Sequence, residues 1–143
     1  MEAAAREPPP FPGAGIRPGS IQAWVLAARV RTLPVGAAPV LVGSAVAWAS
    51  GAFDLPAALA ALAGSLFIQI GANFANDLFD FQKGADTAGR LGPLRASQAG
   101  LLSERQVKAG AAVSFTLACM AGVYLITAGG WPILAVGVLS ILS

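Results

Sequence analysis

Two long stretches of this 143-residue chain carry almost no charge. Asp54 is the only charged residue between residues 32 and 76, and residues 109–143 contain none. Charged residues make up 11% of the chain, against roughly a quarter of a typical soluble domain, and hydrophobic residues make up 56%. Since a helix of about 20 apolar residues is long enough to cross a bilayer, the pattern predicts an integral membrane protein built from helices.

The apolar runs divide the chain into a tail and a membrane domain. Residues 1–20 are rich in Pro, Gly and Ala and show no apolar periodicity, which predicts a disordered cytoplasmic tail. Residues 21–143 form the membrane domain, an all-α bundle of transmembrane helices. Its predicted complete spans are residues 33–50, 57–80 and 109–128. A fourth span starts at residue 133, but residues 133–143 are too few to cross. We therefore expect the chain to be the N-terminal part of a longer protein.

Three local signals predict further detail. Residues 21–30 suit a short helix at the membrane interface, with Trp24 as its anchor. Gly43 and Ala47 form a small-xxx-small pair, which allows two helices to approach closely. Ser103 precedes the third span and suits the N-cap position of its helix.

The distribution of Lys and Arg predicts the orientation in the membrane. Arg29 and Arg31 precede the first span, and the loop at residues 81–108 is also basic. The turn at residues 51–56 between them has no Lys or Arg. Because basic loops stay on the cytoplasmic side, we expect the N-terminus and residues 81–108 to face the cytoplasm, in the inner or plasma membrane.

Residues 73–95 hold most of the polar chemistry of the chain. Four polar residues end the second span, and helical spacing places them within an arc of roughly 100°. They are Asn73, Asn76, Asp77 and Asp80. Four more charged residues follow in the loop, namely Lys83, Asp86, Arg90 and Arg95. Carboxylates at the end of a membrane helix are costly, so this cluster is a candidate functional site.

Clustered carboxylate and amide oxygens suit a hard cation such as Mg²⁺, which usually takes one or two protein carboxylates and completes its shell with water and phosphate. The neighbouring Lys and Arg side chains suit a diphosphate. A substrate with a diphosphate head and an apolar tail would fit both environments. Two alternatives stay open from the residues alone: the polar groups only cap the helix and set topology, or they serve an ion-coupled transporter.

The run Asn76-Asp77-Leu78-Phe79-Asp80 resembles the first aspartate-rich motif of the UbiA family of intramembrane prenyltransferases, Asn-Asp-x-x-Asp-x-x-x-Asp. Gly84 stands at the last aspartate position, and Asp86 follows two residues later. This variant of the motif, together with the loop that follows it and the first span, is similar to the menaquinone branch of the family. Members of that branch transfer a polyprenyl group from polyprenyl diphosphate to 1,4-dihydroxy-2-naphthoate.

The resemblance covers about residues 24–143 and implies a fold of about nine transmembrane helices, with a second aspartate-rich motif in the later half. It implies Mg²⁺ between the two motifs, loss of diphosphate to leave an allylic carbocation, and attack by an aromatic ring. Metal ligands would be Asn76, Asp77, Asp80 and Asp86, with Asp77 and Asp80 as the catalytic pair. Residues that contact the diphosphate would be Asn73, Lys83, Arg90 and Arg95.

No second motif follows Asp86, so we expect this chain alone to be inactive. Alternative readings are a UbiA-type enzyme that acts on 4-hydroxybenzoate or homogentisate, and a small transporter-like or structural membrane protein. The expected partners are the prenyl diphosphate, the aromatic acceptor and the lipid bilayer, and no nucleic acid.

Overall fold

A computed structural model describes residues 15–82 and 100–135 of the chain. The helices in these two segments are α1 (Ile21–Ala28), α2 (Leu33–Ala49), α3 (Leu55–Gln82) and α4 (Glu104–Gly129). A 3-10 turn, Val30–Thr32, joins α1 to α2, and residues 131–135 are also helical. No strand occurs within the two described segments, and the predicted all-α class is confirmed.

Within residues 15–82 and 100–135, three stretches are long and apolar enough to cross a membrane: Ile21–Ala49, Leu55–Asp80 and Glu104–Gly129. The second and third match the predicted spans 57–80 and 109–128, and the first contains the predicted span 33–50 together with the segment 21–30 that was predicted to lie at the interface. Many of their large apolar side chains are exposed, among them Leu41, Ile68 and Met120. An exposed apolar surface of this extent would be a liability in water, but it is the expected outer surface of helices that lie in lipid.

The central element is α3, which packs against α1, α2 and α4. Its N-terminus is capped because the backbone N–H of Ala57 donates to Asp54 Oδ1 at 2.7 Å, and Pro56 occupies the first turn. The helix has 28 residues, a length of about 42 Å at 1.5 Å per residue. The hydrocarbon core of a bilayer is about 30 Å thick. The helix is therefore longer than the core by about two turns, and its last two turns carry Asn76, Asp77 and Asp80.

Helices α3 and α4 approach closely where glycine faces the other helix. A Cβ added at Gly64 would lie 3.3 Å from Ala121 Cβ, and one added at Gly71 would lie 2.9 Å from the ring of Phe115. Small residues at such contacts are the usual means of close packing between membrane helices.

A capping box starts α4. Ser103 Oγ accepts from the backbone N–H of Gln106, and the Gln106 side chain accepts from the backbone N–H of Ser103 at 2.8 Å. The predicted N-cap is thus confirmed, and it satisfies backbone groups that the first turn leaves open.

Helix α1 lies against α3 and α4. Its buried residues Ala23 and Ala27 belong to one core cluster with Phe74 and Val107. The ring of Trp24 meets that of Phe74 edge to face, with centroids 5.7 Å apart and planes at 84°. Trp24, predicted as an anchor at the membrane interface, is half-buried in this helix contact.

The close contact between α2 and α3 falls at a different glycine from the one predicted. A Cβ added at Gly36 would lie 3.2 Å from Ser65 Oγ, whereas one added at Gly43 meets no atom within 4 Å in the described part of the chain. Gly43 and Ala47 instead line an open groove of about 290 Å³ between α2 and α3. A small-residue pair marks where helices can approach, but apolarity alone does not distinguish a lipid-facing side from a helix-facing side.

Candidate functional site

The four polar residues at the end of α3 differ in exposure across the face that they share. Helical geometry places them in the order Asn76, Asp80, Asn73, Asp77 around the axis. In that order their side chains are exposed, half-buried, 4% exposed and 1% exposed. The sequence predicted that all four share one face. The structure adds that the Asn76–Asp80 edge of this face is accessible while the Asn73–Asp77 edge lies inside the helix packing.

Asp77 is among the most deeply buried side chains in the described segments. A buried carboxylate is tolerated only with compensating polar or cationic groups, and its desolvation is expensive. Two apolar residues of the same helix take part in the neighbouring core: Phe74 is a buried member of it, and Leu78 packs against it. A carboxylate in this position is therefore a candidate functional group rather than a part of the apolar packing.

Asn73 bonds to the segment that joins α1 to α2. Its Nδ2 donates to the backbone oxygen of Ala28 at 2.8 Å and to Thr32 Oγ1 at 2.9 Å. A carboxamide nitrogen has two hydrogens, and these two contacts use both. In this arrangement Asn73 has no N–H left to donate to a diphosphate oxygen.

The segment that Asn73 contacts is a left-handed break. Arg29 has φ 50° and ψ 58°, the one non-glycine residue with positive φ in the described segments. Such a conformation costs roughly 1–2 kcal/mol for a residue with a Cβ. The Thr32 hydroxyl donates to the backbone oxygen of Arg29 at 2.9 Å. The carbonyl groups of Ala28 and Arg29 at the break thus each accept a side-chain hydrogen bond.

Thr32 and Gln69 were not identified from the sequence. Gln69 Nε2 donates to Thr32 Oγ1 at 3.4 Å, and one turn earlier Ser65 Oγ donates to the backbone oxygen of Gly36 at 2.6 Å. The signal was present in the sequence, because polar residues recur every four positions along an otherwise apolar helix. This polar stripe consists of Ser65, Gln69, Asn73 and Asp77.

The loop residues predicted for the site lie outside the described residues. They are Lys83, Asp86, Arg90 and Arg95. Within residues 15–82 and 100–135, no three His, Cys, Asp or Glu side chains come together. The described part of the site thus consists of the two carboxylates Asp77 and Asp80, with Asn73 and Asn76 beside them.

The apolar helices are long enough to cross a membrane, which defines an integral membrane protein. Its polar site lies where the central helix α3 ends in carboxylates. Comparison with known proteins narrows the class. A profile of the UbiA prenyltransferase family matches residues 36–143. The chain belongs to the UbiA prenyltransferase family.

Its curated relatives include three bacterial proteins, each named 1,4-dihydroxy-2-naphthoate octaprenyltransferase. The protein from Escherichia coli (strain K12) is 40% identical over 105 residues, 73% of this chain and 34% of the relative. The one from Haemophilus influenzae is 36% identical over 108 residues, 74% of this chain and 35% of the relative. The one from Mycobacterium tuberculosis is 39% identical over 123 residues, 85% of this chain and 41% of the relative.

The matched region thus spans between a third and about two fifths of the length of these relatives. No solved structure was found to match the chain.

Proposed function

We propose that this chain supplies the first aspartate-rich motif of a Mg²⁺-dependent membrane prenyltransferase. The reaction is transfer of a polyprenyl group from polyprenyl diphosphate to 1,4-dihydroxy-2-naphthoate, a step of menaquinone biosynthesis. The observation that carries the proposal is the buried Asp77 with Asp80 one turn later, where a membrane-length helix ends. Support for this acceptor comes from the names of the curated relatives.

The residues present fit a magnesium ion bound together with phosphate. Asn76 and Asp80 lie one turn apart on the accessible edge of the polar face, and Asp77 lies on its buried edge. Mg²⁺ needs only one or two protein carboxylates, because water and substrate phosphate fill its other positions. We assign Asn76, Asp77 and Asp80 as metal ligands, with Asp86 as a fourth in the loop. When bound, the ion would neutralise charge on the departing diphosphate.

The protein groups then have separate tasks. Asp77 and Asp80 would hold the ion, and with it the diphosphate end of the substrate, where α3 ends, on the cytoplasmic side by the distribution of Lys and Arg. Further charge on the diphosphate would be neutralised by hydrogen bonds from Lys83, Arg90 and Arg95. The apolar helix surfaces accommodate the prenyl tail and exclude water from the reacting carbon. No protein nucleophile is required for this reaction.

Product analysis tests the proposal. Membranes from cells that express the complete gene are supplied with polyprenyl diphosphate and, separately, with 1,4-dihydroxy-2-naphthoate, 4-hydroxybenzoate or homogentisate. We expect a prenylated, decarboxylated product from the dihydroxynaphthoate, and we expect EDTA to abolish it and added Mg²⁺ to restore it.

If only another acceptor yields product, the protein is still a prenyltransferase, but the assigned acceptor is wrong. Turnover that is unaffected by EDTA would overturn the metal assignment. If no acceptor is prenylated, the proposed activity itself is wrong.

A further inference from the structure

The polar stripe of α3 includes three residues that form hydrogen bonds to α2, to α1 or to the break between them. Ser65 bonds to the first turn of α2 at Gly36. Gln69 and Asn73 bond to Thr32, which lies in the turn between α1 and α2. Asp77 is the next member, one turn further along the same stripe, at the level where α1 packs on α3.

Thr32 is the centre of these contacts. Its hydroxyl oxygen accepts from Asn73 and from Gln69, and its hydrogen goes to the backbone oxygen of Arg29. Asn73 also bonds to the backbone oxygen of Ala28, the last residue of α1. One hydroxyl group therefore ties the left-handed break to two successive turns of α3. We call this group of Thr32, Gln69 and Asn73 the latch.

The latch determines where α1 is held. Because α1 has only eight residues, it is too short to be stable without tertiary contacts. Its fully buried residues are Ala23 and Ala27, and Trp24 and Leu26 pack, partly buried, against the same core. The hydrogen bonds at its C-terminus add to this packing and fix the end of α1 to α3, where Phe74 and Leu78 flank Asp77 in the sequence.

We propose that Thr32 is a positioning residue for the site: through Asn73 and Gln69 it locks the α1–α2 break to α3 and thereby fixes the turn that carries Asp77. Asn73, whose amide hydrogens are both used here, acts in this positioning and does not contact the diphosphate. The metal-binding consequence of the latch rests on the proposed function, whereas its effect on α1 does not.

The first test measures how firmly α1 is held. Ala27 is 3% exposed, so a cysteine placed there (Ala27→Cys, in a Cys119→Ala background) reports separation of α1 through its alkylation by a water-soluble maleimide. Thr32→Val keeps the shape of the side chain but removes the hydroxyl group. We expect it to raise the alkylation rate roughly tenfold, as a loss of about 1.4 kcal/mol would do. Thr32→Ser retains the hydroxyl and should restore the slow rate.

The matched control is Thr116→Val. The hydroxyl of Thr116 bonds only within α4, to the backbone oxygen of Ala112 at 2.8 Å, and the residue is exposed. Alkylation at position 27 should not change in this variant. An equal rate in Thr32→Val and in the Thr32 wild type would overturn the latch.

The second test measures metal affinity without relying on turnover. Mn²⁺ binding to the purified complete protein, in the presence of inorganic pyrophosphate, is followed by electron paramagnetic resonance. Outer residues that orient metal ligands typically change affinity 10- to 100-fold. We expect a loss of about tenfold in Thr32→Val and in Asn73→Ala, near wild-type affinity in Thr32→Ser, and no added loss in the Thr32→Val/Asn73→Ala double variant.

Each outcome decides a separate claim. Faster alkylation with unchanged Mn²⁺ affinity would mean that the latch only stabilises α1, and the positioning role would be wrong. If the wild type itself binds no Mn²⁺, the metal assignment in the proposed function is wrong, and the positioning role fails with it. If Mn²⁺ binds as expected but no acceptor is prenylated, the proposed function fails while the positioning role stands.

Discussion

Gly110 is the residue at which an added methyl group should be poorly tolerated. A Cβ at this position would lie 2.8 Å from Trp24 Cζ3 and 3.1 Å from Phe74 Cε2. These two rings already pack edge to face, and Phe74 is buried. Neither ring can therefore move without disrupting the packing of α1 against α3 and α4. Overpacking of this kind costs about 1–3 kcal/mol, which opposes the gain of about 1 kcal/mol that alanine brings over glycine in a helix.

Gly122 on the same helix gives the matched comparison. A Cβ there meets no atom within 4 Å in the described part of the chain, so Gly122→Ala should show the helix-propensity gain alone. We expect Gly110→Ala to be less stable than Gly122→Ala by about 1–3 kcal/mol. The free energy of unfolding is measured by titration with sodium dodecyl sulphate in mixed micelles. Equal stabilities of the two variants would refute the packing of α1 on α3 and α4.

Four further substitutions, two at Ser103 and two at Arg29, test local features by the same unfolding titration. Ser103→Ala removes the N-cap of α4 and should cost about 1 kcal/mol, while Ser103→Thr should cost little; equal losses would contradict the capping box. At the left-handed break, Arg29→Gly should be at least as stable as the wild type, because glycine adopts positive φ without strain. Arg29→Val should lose about 1–2 kcal/mol, and equal stability of the glycine and valine variants would contradict the left-handed conformation.

The spans, the N-cap of α4 and the polar face could be predicted because each is written in local sequence. An apolar run, a Ser-x-x-Gln capping box and a spacing of three or four residues need no knowledge of distant contacts. The one-face prediction for the four polar residues depended only on the helical repeat. It could not give their order of burial, which depends on the helices that pack beside α3.

The break at Arg29 could not be predicted for the opposite reason. No glycine or asparagine marks it in the sequence, and the contacts that hold it join Thr32 to Asn73, 41 residues apart. The same limit explains why the helix contacts of Gly36 and Trp24 were not predicted from the sequence. Both lie in helix contacts, but in a membrane protein the apolar character of a helix is similar on its lipid-facing and helix-facing sides. Polar residues within a span, such as Gln69, were the more informative signal.

The central claim is that the carboxylates at the end of α3 bind the metal and diphosphate. Asp54 on the exposed opposite end of the same helix provides the control, since asparagine also caps helices and Asp54→Asn should retain wild-type turnover. The direct measurement is Mg²⁺-dependent prenyl transfer by the complete protein carrying Asp80→Asn. We predict a fall in turnover of roughly 100-fold or more, with normal amounts of folded protein. Wild-type turnover and Mg²⁺ dependence in Asp80→Asn would contradict the account.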